Sequence, residues 1–297
     1  MLEALDGLPP VDFTTLPPAL ERAGSEERLG ALKGEIEPVS RIDNLTFPSD
    51  GEAIPVRIYR PAGAAGTVLF IHGGGWVVGS LDTHDNSCRI LANTAKCNVV
   101  SVGYRKAPEH RFPAGVNDVK AGLDWLLRET ATLDLDVANL VLCGESAGGN
   151  LAAVLAIHAR DRGIKLAGQA LIYPVIDTNM DSESYRRFAN GFYLSAGAMN
   201  WFITHYAAPA DRTHPDIVPL NAATLSGLAP ALITTADHDP LRDEGRAYAA
   251  ALIAAGVDTT FIEIPGAVHG LWVMNAITPA SRELIERTAE WIRGRLG

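Results

Sequence analysis

The sequence predicts an α/β protein whose mostly parallel sheet is covered by helices on both faces. From about Arg41 onward, short apolar runs alternate with helical patterns, as expected for parallel strands joined by crossover helices. The run Thr67–Ile71 is continuously apolar, which suits a central strand buried on both sides. A length of 297 residues and a hydrophobic content of 47% are compatible with one domain and a sizeable core.

Eight strand-like runs can be placed along the chain, and the first two look antiparallel because the turn-like segment 48–51 separates them. The predicted strands are Leu45–Phe47, Ile54–Tyr59, Thr67–Ile71, Asn98–Val102, Leu140–Cys143, Gln169–Tyr173, Ala231–Thr235 and Thr260–Ile264. Helical patterns cover Val116–Thr130, Gly148–Arg160, Glu244–Ala255 and Arg282–Arg293. The prediction is therefore an eight-stranded, mostly parallel sheet flanked by helices.

Two segments do not follow the alternation. Residues 1–40 are rich in Pro, Leu and Glu and have weak helical character, while residues 178–215 carry a local excess of aromatic side chains. Segment 178–215 is either a set of ordinary connecting helices or a lid over an apolar substrate pocket, since such pockets are lined by aromatic residues. Its aromatic residues are Tyr185, Phe188, Phe192, Tyr193, Trp201, Phe202 and Tyr206.

The composition limits the partners and the compartment. A formal charge of −10 and a pI near 5.3 argue against nucleic acid or an anionic membrane as partner, because both require a basic face. Cys88, Cys97 and Cys143 are an odd number without metal-ligand spacing, and Cys97 and Cys143 lie in apolar strand-like runs, which favours a reducing compartment. Residues 1–10 show no signal-peptide pattern, and no apolar stretch approaches the roughly 20 residues of a membrane span. We therefore expect a cytoplasmic protein.

The strongest local motif is Gly144-Glu145-Ser146-Ala147-Gly148, which fits G-x-S-x-G. It follows a predicted strand directly and opens a predicted helix. A strand that turns sharply into a helix holds the serine in a strained conformation with its hydroxyl clear of the sheet. The helix N-terminus beside it favours negative charge. This context predicts that Ser146 is a nucleophile rather than a capping serine in a tight turn.

A second motif, His72-Gly73-Gly74-Gly75-Trp76, follows the predicted strand Thr67–Ile71. Three consecutive glycines expose backbone N–H groups in one loop, which is what an oxyanion hole requires. The alternatives are a phosphate-binding loop and a flexible turn, and nucleotide binding is disfavoured because neither G-K-[ST] nor G-x-G-x-x-G is present. We expect His72 to shape this loop rather than to act as a base.

The acid and the base of a triad should follow the serine in that order. Three aspartates after the seventh predicted strand compete for the acid: Asp237, Asp239 and Asp243. His269 stands in a glycine-flanked loop after the last predicted strand, where a general base could reach Ser146. The other histidines fit the role of general base less well. His110 lies in a Pro-rich loop, and His238 adjoins the candidate acid. The remaining ones are expected at the surface: His84, His158, His205 and His214.

These motifs together resemble the bacterial hormone-sensitive-lipase-like esterases, an α/β-hydrolase family with an HGGG motif upstream of the nucleophile. The resemblance runs from about residue 43 to the C-terminus, and Glu145 stands where many relatives have Asp. It implies a catalytic domain at 41–297, with a helical cap formed by 1–40 and an insertion at about 178–215. The implied site consists of Ser146, Asp239 and His269, the oxyanion donors Gly74, Gly75 and Ala147, and the supporting His72 and Gly73.

The resemblance implies a serine carboxylesterase that hydrolyses short- to medium-chain acyl esters through an acyl-enzyme intermediate. It calls for no cofactor and no metal, and it leaves homodimerisation through an edge strand open. An amidase, arylformamidase or lactonase would use the same triad, because the leaving group is selected by the pocket. A non-catalytic ligand-binding protein on this scaffold is disfavoured because all three triad residues are present.

Overall fold

The computed structural model describes residues 16–297, and within them eight strands form one sheet in the order β1-β2-β4-β3-β5-β6-β7-β8. The first pair, β1 with β2, and the pair β2 with β4 are antiparallel, and all other neighbours are parallel. The predicted α/β architecture with eight strands is confirmed. The strands are β1 Arg41–Ser49, β2 Glu52–Arg60, β3 Thr67–Ile71, β4 Asn98–Val102, β5 Leu140–Glu145, β6 Gly168–Ile172, β7 Ala231–His238 and β8 Thr259–Val268.

Nine α-helices accompany the sheet within the described part of the chain. Each of the four predicted helical patterns corresponds to one of them, with ends that differ by one to three residues. The helices are α1 Pro18–Leu32, α2 Asp85–Ala95, α3 Ala114–Arg128, α4 Thr130–Leu133, α5 Ala147–Asp161, α6 Glu183–Arg187, α7 Ala196–Tyr206, α8 Arg242–Ala254 and α9 Pro279–Leu296.

The central strands are buried on both faces because helices cover each side of the sheet. Every residue of β3 is buried, and its side chains alternate between two apolar clusters. Leu69 and Ile71 face the cluster that contains residues of α3, α5 and α8, whereas Val68 and Phe70 face the cluster with α2 and α9. The carboxyl ends of the parallel strands are not covered by these helices and continue into loops. In α/β proteins, ligands bind at this edge of the sheet.

Helix α1 is attached to the loops at this edge by one side chain. Arg22 donates hydrogen bonds to the carbonyl oxygens of Val77 and Ala107, each at 3.0 Å, and to the carboxylate of Glu109 at 2.7 Å. One guanidinium thus joins α1 to the segments that follow β3 and β4. Residues 1–15 lie outside the described residues. They include the start of the predicted cap and the N-terminal residues that show no signal-peptide pattern in the sequence.

Segment 178–215 contains α6 and α7, and its aromatic residues lie close to two of the loops at the strand ends. A Cβ atom placed on Gly75 would stand 2.2 Å from the ring of Phe202, and one placed on Gly270 would stand 2.8 Å from that of Tyr193. The segment is therefore packed over the carboxyl ends of β3 and β8.

Among residues 16–297, no helix combines the length and the apolar character that crossing a bilayer requires.

All three cysteines are buried and free, and burial raises the pKa of each thiol. They behave as small hydrophobes of the core, as expected for Cys97 and Cys143.

Candidate active site

Ser146 occupies a sharp turn between β5 and α5. Its backbone has φ 57° and ψ −121°, a conformation that L-residues rarely adopt. Close packing around the turn depends on glycine: a Cβ atom on Gly144 would stand 2.1 Å from the carbonyl oxygen of Gly148, and one on Gly148 would stand 2.0 Å from that of Ile71. The two glycines of the motif therefore allow strand, turn and helix to approach, and the serine side chain is directed away from the sheet.

The structure brings Ser146, His269 and Asp239 into one hydrogen-bonded series. The Oγ of Ser146 lies 2.8 Å from Nε2 of His269, and Nδ1 of the same ring lies 2.7 Å from Oδ2 of Asp239. A carboxylate only accepts hydrogen bonds, so Nδ1 carries the hydrogen and Nε2 is free to accept the serine proton. The three side chains come from the ends of β5, β7 and β8, which the parallel sheet aligns at one edge.

Of the three candidate acids, only Asp239 contacts His269. Its carboxylate is fully buried, and Oδ1 accepts a hydrogen bond of 2.9 Å from the amide of Leu241, beside the N-terminus of α8. Asp243 instead accepts from the amide of Ser184 and pairs with arginines. Asp237 lies near His238 and Arg242 at the half-exposed end of β7. The structure thus places the carboxylate of Asp239, and neither of the other two, at the base.

The surroundings of His269 favour its protonated form. Burial alone would lower the pKa of the imidazole, but the charge of Asp239, its hydrogen bond and the more distant Glu145 outweigh burial and raise that pKa above its ordinary value. The ring also packs on Tyr173, with centroids 4.6 Å apart. The hydroxyl of Tyr173 accepts a hydrogen bond from the amide of Trp272 at 2.8 Å, which fixes the turn that follows the histidine.

The glycine loop after β3 lies against the serine turn. Gly74 and Gly75 have φ values of 114° and 56°, and a Cβ atom on Gly74 would stand 2.3 Å from the carbonyl oxygen of Val78. These conformations turn the backbone back on itself, so that Gly74 accepts hydrogen bonds from the amides of Val77 and Val78. The amide of Ala147 opens α5 immediately after the nucleophile. The two predicted groups of oxyanion donors therefore lie on neighbouring segments.

His72 is fully buried at the start of the glycine loop. Its Nδ1 donates to the carbonyl oxygen of Gly73 at 2.7 Å, and its own carbonyl oxygen accepts a hydrogen bond from the hydroxyl of Tyr104 at 3.1 Å. The two rings are stacked with centroids 4.4 Å apart. Burial lowers the pKa of His72 well below its ordinary value, so the ring is neutral. These contacts are consistent with the predicted role of His72 in shaping the glycine loop.

The expectation that His84 lies at the surface is wrong. The side chain is buried with 2% exposure, and its Nε2 lies 3.2 Å from Oε2 of Glu145. The sequence interpretation failed because His84 stands among polar residues, whereas Thr83 and His84 are buried and Nε2 of His84 lies 3.4 Å from the amide of Gly73 in the glycine loop. Tyr173 and the pair Trp76 with Tyr206 were also missed as parts of the site, since their roles depend on contacts distant in sequence.

The sheet order and the Ser–His–Asp series define an α/β-hydrolase. A family model described as an α/β-hydrolase fold matches residues 68–273. The chain belongs to the hormone-sensitive-lipase-like carboxylesterase family of α/β-hydrolases, and it is a carboxylic ester hydrolase.

Two curated relatives support this assignment. Ethyl acetate hydrolase of Pseudomonas putida is 39% identical over 282 residues, which are 91% of this chain and 88% of that protein. Carboxylesterase NlhH of Mycobacterium tuberculosis is 39% identical over 94% of this chain and 90% of its own length.

Solved structures agree with the fold. A thermostable esterase from Pseudomonas putida has a TM-score of 0.94 at 33% identity and covers 100% of this chain and 95% of its own. An esterase from Pyrobaculum calidifontis has a TM-score of 0.93 at 37% identity, and the match covers 99% of this chain and 97% of the chain of that esterase.

Proposed function

We propose that the protein hydrolyses short- to medium-chain carboxylic esters by two-step acyl transfer, with Ser146 as nucleophile, His269 as general base and Asp239 as the acid that orients it. The observation that carries the proposal is the uninterrupted hydrogen-bonded series from the serine hydroxyl through both ring nitrogens to a buried carboxylate. The same series would serve other acyl transfers, and the relatives named above are ester hydrolases.

In the first step, Oγ of Ser146 attacks the carbonyl carbon of the ester while Nε2 of His269 takes the hydroxyl proton. Negative charge develops on the former carbonyl oxygen, and the amides of Gly74, Gly75 and Ala147 are the donors that would receive it. Asp239 holds the ring through Nδ1 and stabilises the imidazolium. The imidazolium then gives its proton to the leaving alcohol, and the acyl group remains on the serine.

In the second step, a water molecule attacks the acyl-enzyme. His269 removes one proton from the water, and the resulting tetrahedral oxyanion occupies the same amide site. As the intermediate collapses, the imidazolium returns its proton to Oγ of Ser146 and the carboxylic acid is released. The cycle restores the neutral histidine and needs only the residues named and water.

The substrate range is proposed from the aromatic side chains that surround the serine. Phe202 packs against Gly75 on the oxyanion side, and Tyr193 packs against Gly270 on the histidine side. Phe202 is 8% exposed, so the space beside the glycine loop is already filled. We assign segment 178–215, together with residues 16–40, the described part of the predicted segment 1–40, to a cap over the catalytic domain 41–297. A pocket closed in this way favours short acyl chains, and the ethyl acetate hydrolase relative is consistent with small esters.

The test is hydrolysis of a chain-length series of p-nitrophenyl esters by the wild-type protein and by Ser146→Ala. The wild type should release a p-nitrophenolate burst followed by steady turnover, with the highest kcat/KM between acetate and hexanoate. Ser146→Ala should keep its Tm and lose more than about 1000-fold in kcat. Smaller losses in a folded variant would reject Ser146 as nucleophile. Highest activity on long acyl chains would reject the substrate range alone.

A further inference from the structure

Within the described residues, helix α1 is hydrogen-bonded to the rest of the protein at two points. Near its C-terminal end, the carbonyl oxygen of Leu32 accepts from the amide of Ala276 at 2.9 Å. The other point is Arg22, the only α1 side chain with a described hydrogen bond outside the helix. A helix rises about 1.5 Å per residue, so the two points are roughly 15 Å apart. Arg22 therefore holds the N-terminal half of α1 on the loops at the strand ends.

The guanidinium of Arg22 binds two backbone carbonyls on loops that are themselves hydrogen-bonded to each other. Nε donates to the carbonyl oxygen of Val77 and Nη2 to that of Ala107, each at 3.0 Å. The amide of Ala107 donates in turn to the carbonyl oxygen of Trp76 at 2.9 Å. Val77 and Ala107 are both fully buried. The rigid fork of one arginine therefore fixes the segment after β3 against the segment after β4.

Two peptide units connect this guanidinium to the glycine loop. The first joins Val77 to Val78, and its carbonyl oxygen is the one that accepts from Nε of Arg22. The N–H of the same unit donates to the carbonyl oxygen of Gly74 at 2.8 Å. That carbonyl belongs to the second unit, whose N–H is the amide of Gly75. Because a peptide unit is planar, fixing its oxygen also fixes the direction of its N–H. The hydrogen-bonded series therefore begins at the charged guanidinium and ends at the Gly75 amide.

The amide of Gly75 is free to receive a ligand. It donates no hydrogen bond to any residue in the described part of the chain, whereas the amides of Val77 and Val78 both donate to Gly74. An oxyanion donor must be unoccupied and already aimed before the reaction starts. Hydrogen bonds in a series also polarise one another, by roughly 10–30% per bond, and a charged donor forms the stronger kind of hydrogen bond.

We propose that Arg22 is a positioning residue for the oxyanion donor, which aligns and polarises the amide of Gly75 through the two peptide units. The proposal rests on the proposed function, because it assigns a role in the same acyl transfer. Arg22 acts through the backbone and needs no contact with the substrate. Since α1 carries the guanidinium, the rate of turnover depends on this helix as well as on the catalytic domain.

The remaining partner of the guanidinium is the carboxylate of Glu109. Its Oε2 lies 2.7 Å from Nη2 of Arg22, but 52% of the Glu109 side chain is exposed. Ion pairs between exposed groups contribute little to stability. The bonds to the two buried carbonyls, rather than the ion pair, therefore carry the proposed effect.

The first experiment compares Arg22→Gln with the wild type on the p-nitrophenyl esters of acetate, butyrate and hexanoate. We expect kcat to fall about 10-fold, less than for loss of an oxyanion donor itself, with KM within about threefold. The loss should be the same for all three esters, because each forms the same oxyanion. A cap that is merely loosened would change KM and the chain-length preference instead. The matched control is Arg128→Gln on α3, which removes an arginine side chain that is 60% exposed and should change neither quantity.

The second experiment separates the fork from the charge. Arg22→Lys keeps the positive charge, but its single nitrogen does not reproduce the two parallel donors, so only part of the lost kcat should return. Glu109→Gln keeps both carbonyl contacts and should stay within about twofold of the wild type. Full activity in Arg22→Lys, or a loss in Glu109→Gln as large as in Arg22→Gln, would overturn the assignment to the carbonyl contacts.

The third experiment combines Arg22→Gln with Gly74→Ala. If Arg22 acts through the turn that Gly74 forms, the second change should add less than about twofold to the loss of kcat in Gly74→Ala. Multiplied losses in the double variant would overturn the proposal. An Arg22→Gln variant that loses only Tm, or that changes only KM, would do the same. Retained activity in Ser146→Ala would instead reject the proposed function.

Discussion

The indole ring of Trp76 lies parallel to the ring of Tyr206, with centroids 4.3 Å apart and planes inclined by 5°. Trp76 ends the H-G-G-G-W motif, and Tyr206 is the last residue of α7. Both side chains are buried. The stack therefore joins the glycine loop directly to segment 178–215, beside the contact of Phe202 with Gly75.

Trp76→Ala should remove this contact and destabilise the protein by about 3–5 kcal/mol, because a large buried aromatic ring is lost. Chemical denaturation followed by circular dichroism measures the change. Tyr206→Phe is the matched control, because it keeps the stacked ring and deletes a buried hydroxyl that has no partner among the described residues. The control should be as stable as the wild type or more so. A Trp76→Ala variant of unchanged stability would show that the stack contributes little.

Asp239→Asn should reduce kcat/KM by about 10⁴-fold, because the amide leaves His269 in the wrong tautomer to accept the serine proton. Asp237→Asn and Asp243→Asn make the same chemical change at positions that do not contact the histidine, and each should stay within about tenfold of the wild type. Hydrolysis of p-nitrophenyl butyrate compares all three. If Asp237→Asn or Asp243→Asn showed the larger loss, Asp239 would not be the acid.

The activity should fall on acidification at a pH above the ordinary pKa of histidine. The neutral form of His269 is the base, and Asp239 raises the pKa of the ring, so activity is present above the raised pKa and is lost as pH falls through it. The acidic limb of kcat/KM against pH reports this value for the free enzyme. An acidic limb below the ordinary pKa of histidine would contradict the described electrostatics.

Gly74→Ala should disturb the oxyanion donors without a large effect on the rest of the fold. A Cβ atom there would stand 2.3 Å from the carbonyl oxygen of Val78, at a φ of 114° that alanine rarely adopts. We expect kcat to fall by about 100-fold or more, as when an oxyanion donor is lost. Gly30→Ala in α1 is the control, because nothing lies within 4 Å of the added atom. It should leave kcat unchanged and slightly favour the helix.

Phe202→Ala should open space beside Gly75 and shift the preference toward longer acyl chains. The ratio of kcat/KM for p-nitrophenyl octanoate to that for the butyrate should rise by about 10-fold, the effect of a few additional buried methylenes. Ile253→Ala, at a 57% exposed position on α8, is the control and should leave the ratio unchanged. An unchanged ratio in Phe202→Ala would show that this side chain does not limit the acyl group.

Much of the fold could be predicted because the pattern that encodes it is local. The apolar run of β3 and the helical pattern of α5 are each readable within one segment, and the serine between strand and helix follows from the same stretch. Helix α2 was missed because it begins with polar residues, Asp85, Asn86 and Ser87, which are nevertheless buried. Its burial comes from contacts with residues far along the chain, such as the hydrogen bond from Ser87 to the carbonyl oxygen of Trp272.

The same distinction applies to the site. Ser146 and the glycine loop carry sequence motifs, but the residues alone left Asp237, Asp239 and Asp243 as competing acids, and only the resemblance selected among them. The three aspartates lie within seven positions at the end of β7, where the pairing with β8 shifts register between Ala236 and His238, so a regular strand pattern does not show which one faces His269. The position of His84 likewise depends on how a loop folds, and the hydrophobic periodicity of the sequence gives no information about loop conformation.

The hydrogen bond between Ser146 and His269 joins residues 123 positions apart in the chain. Contacts between residues so far apart in sequence form late in folding, because the entropic cost of closing the intervening loop must be met before the contact can stabilise the folded state. Both residues stand at strand ends, so the bond requires the pairings from β5 through β6 and β7 to β8 to be in place. Enzymatic activity should therefore return no earlier than the last of these pairings during refolding, which makes turnover a sensitive reporter of the completed sheet.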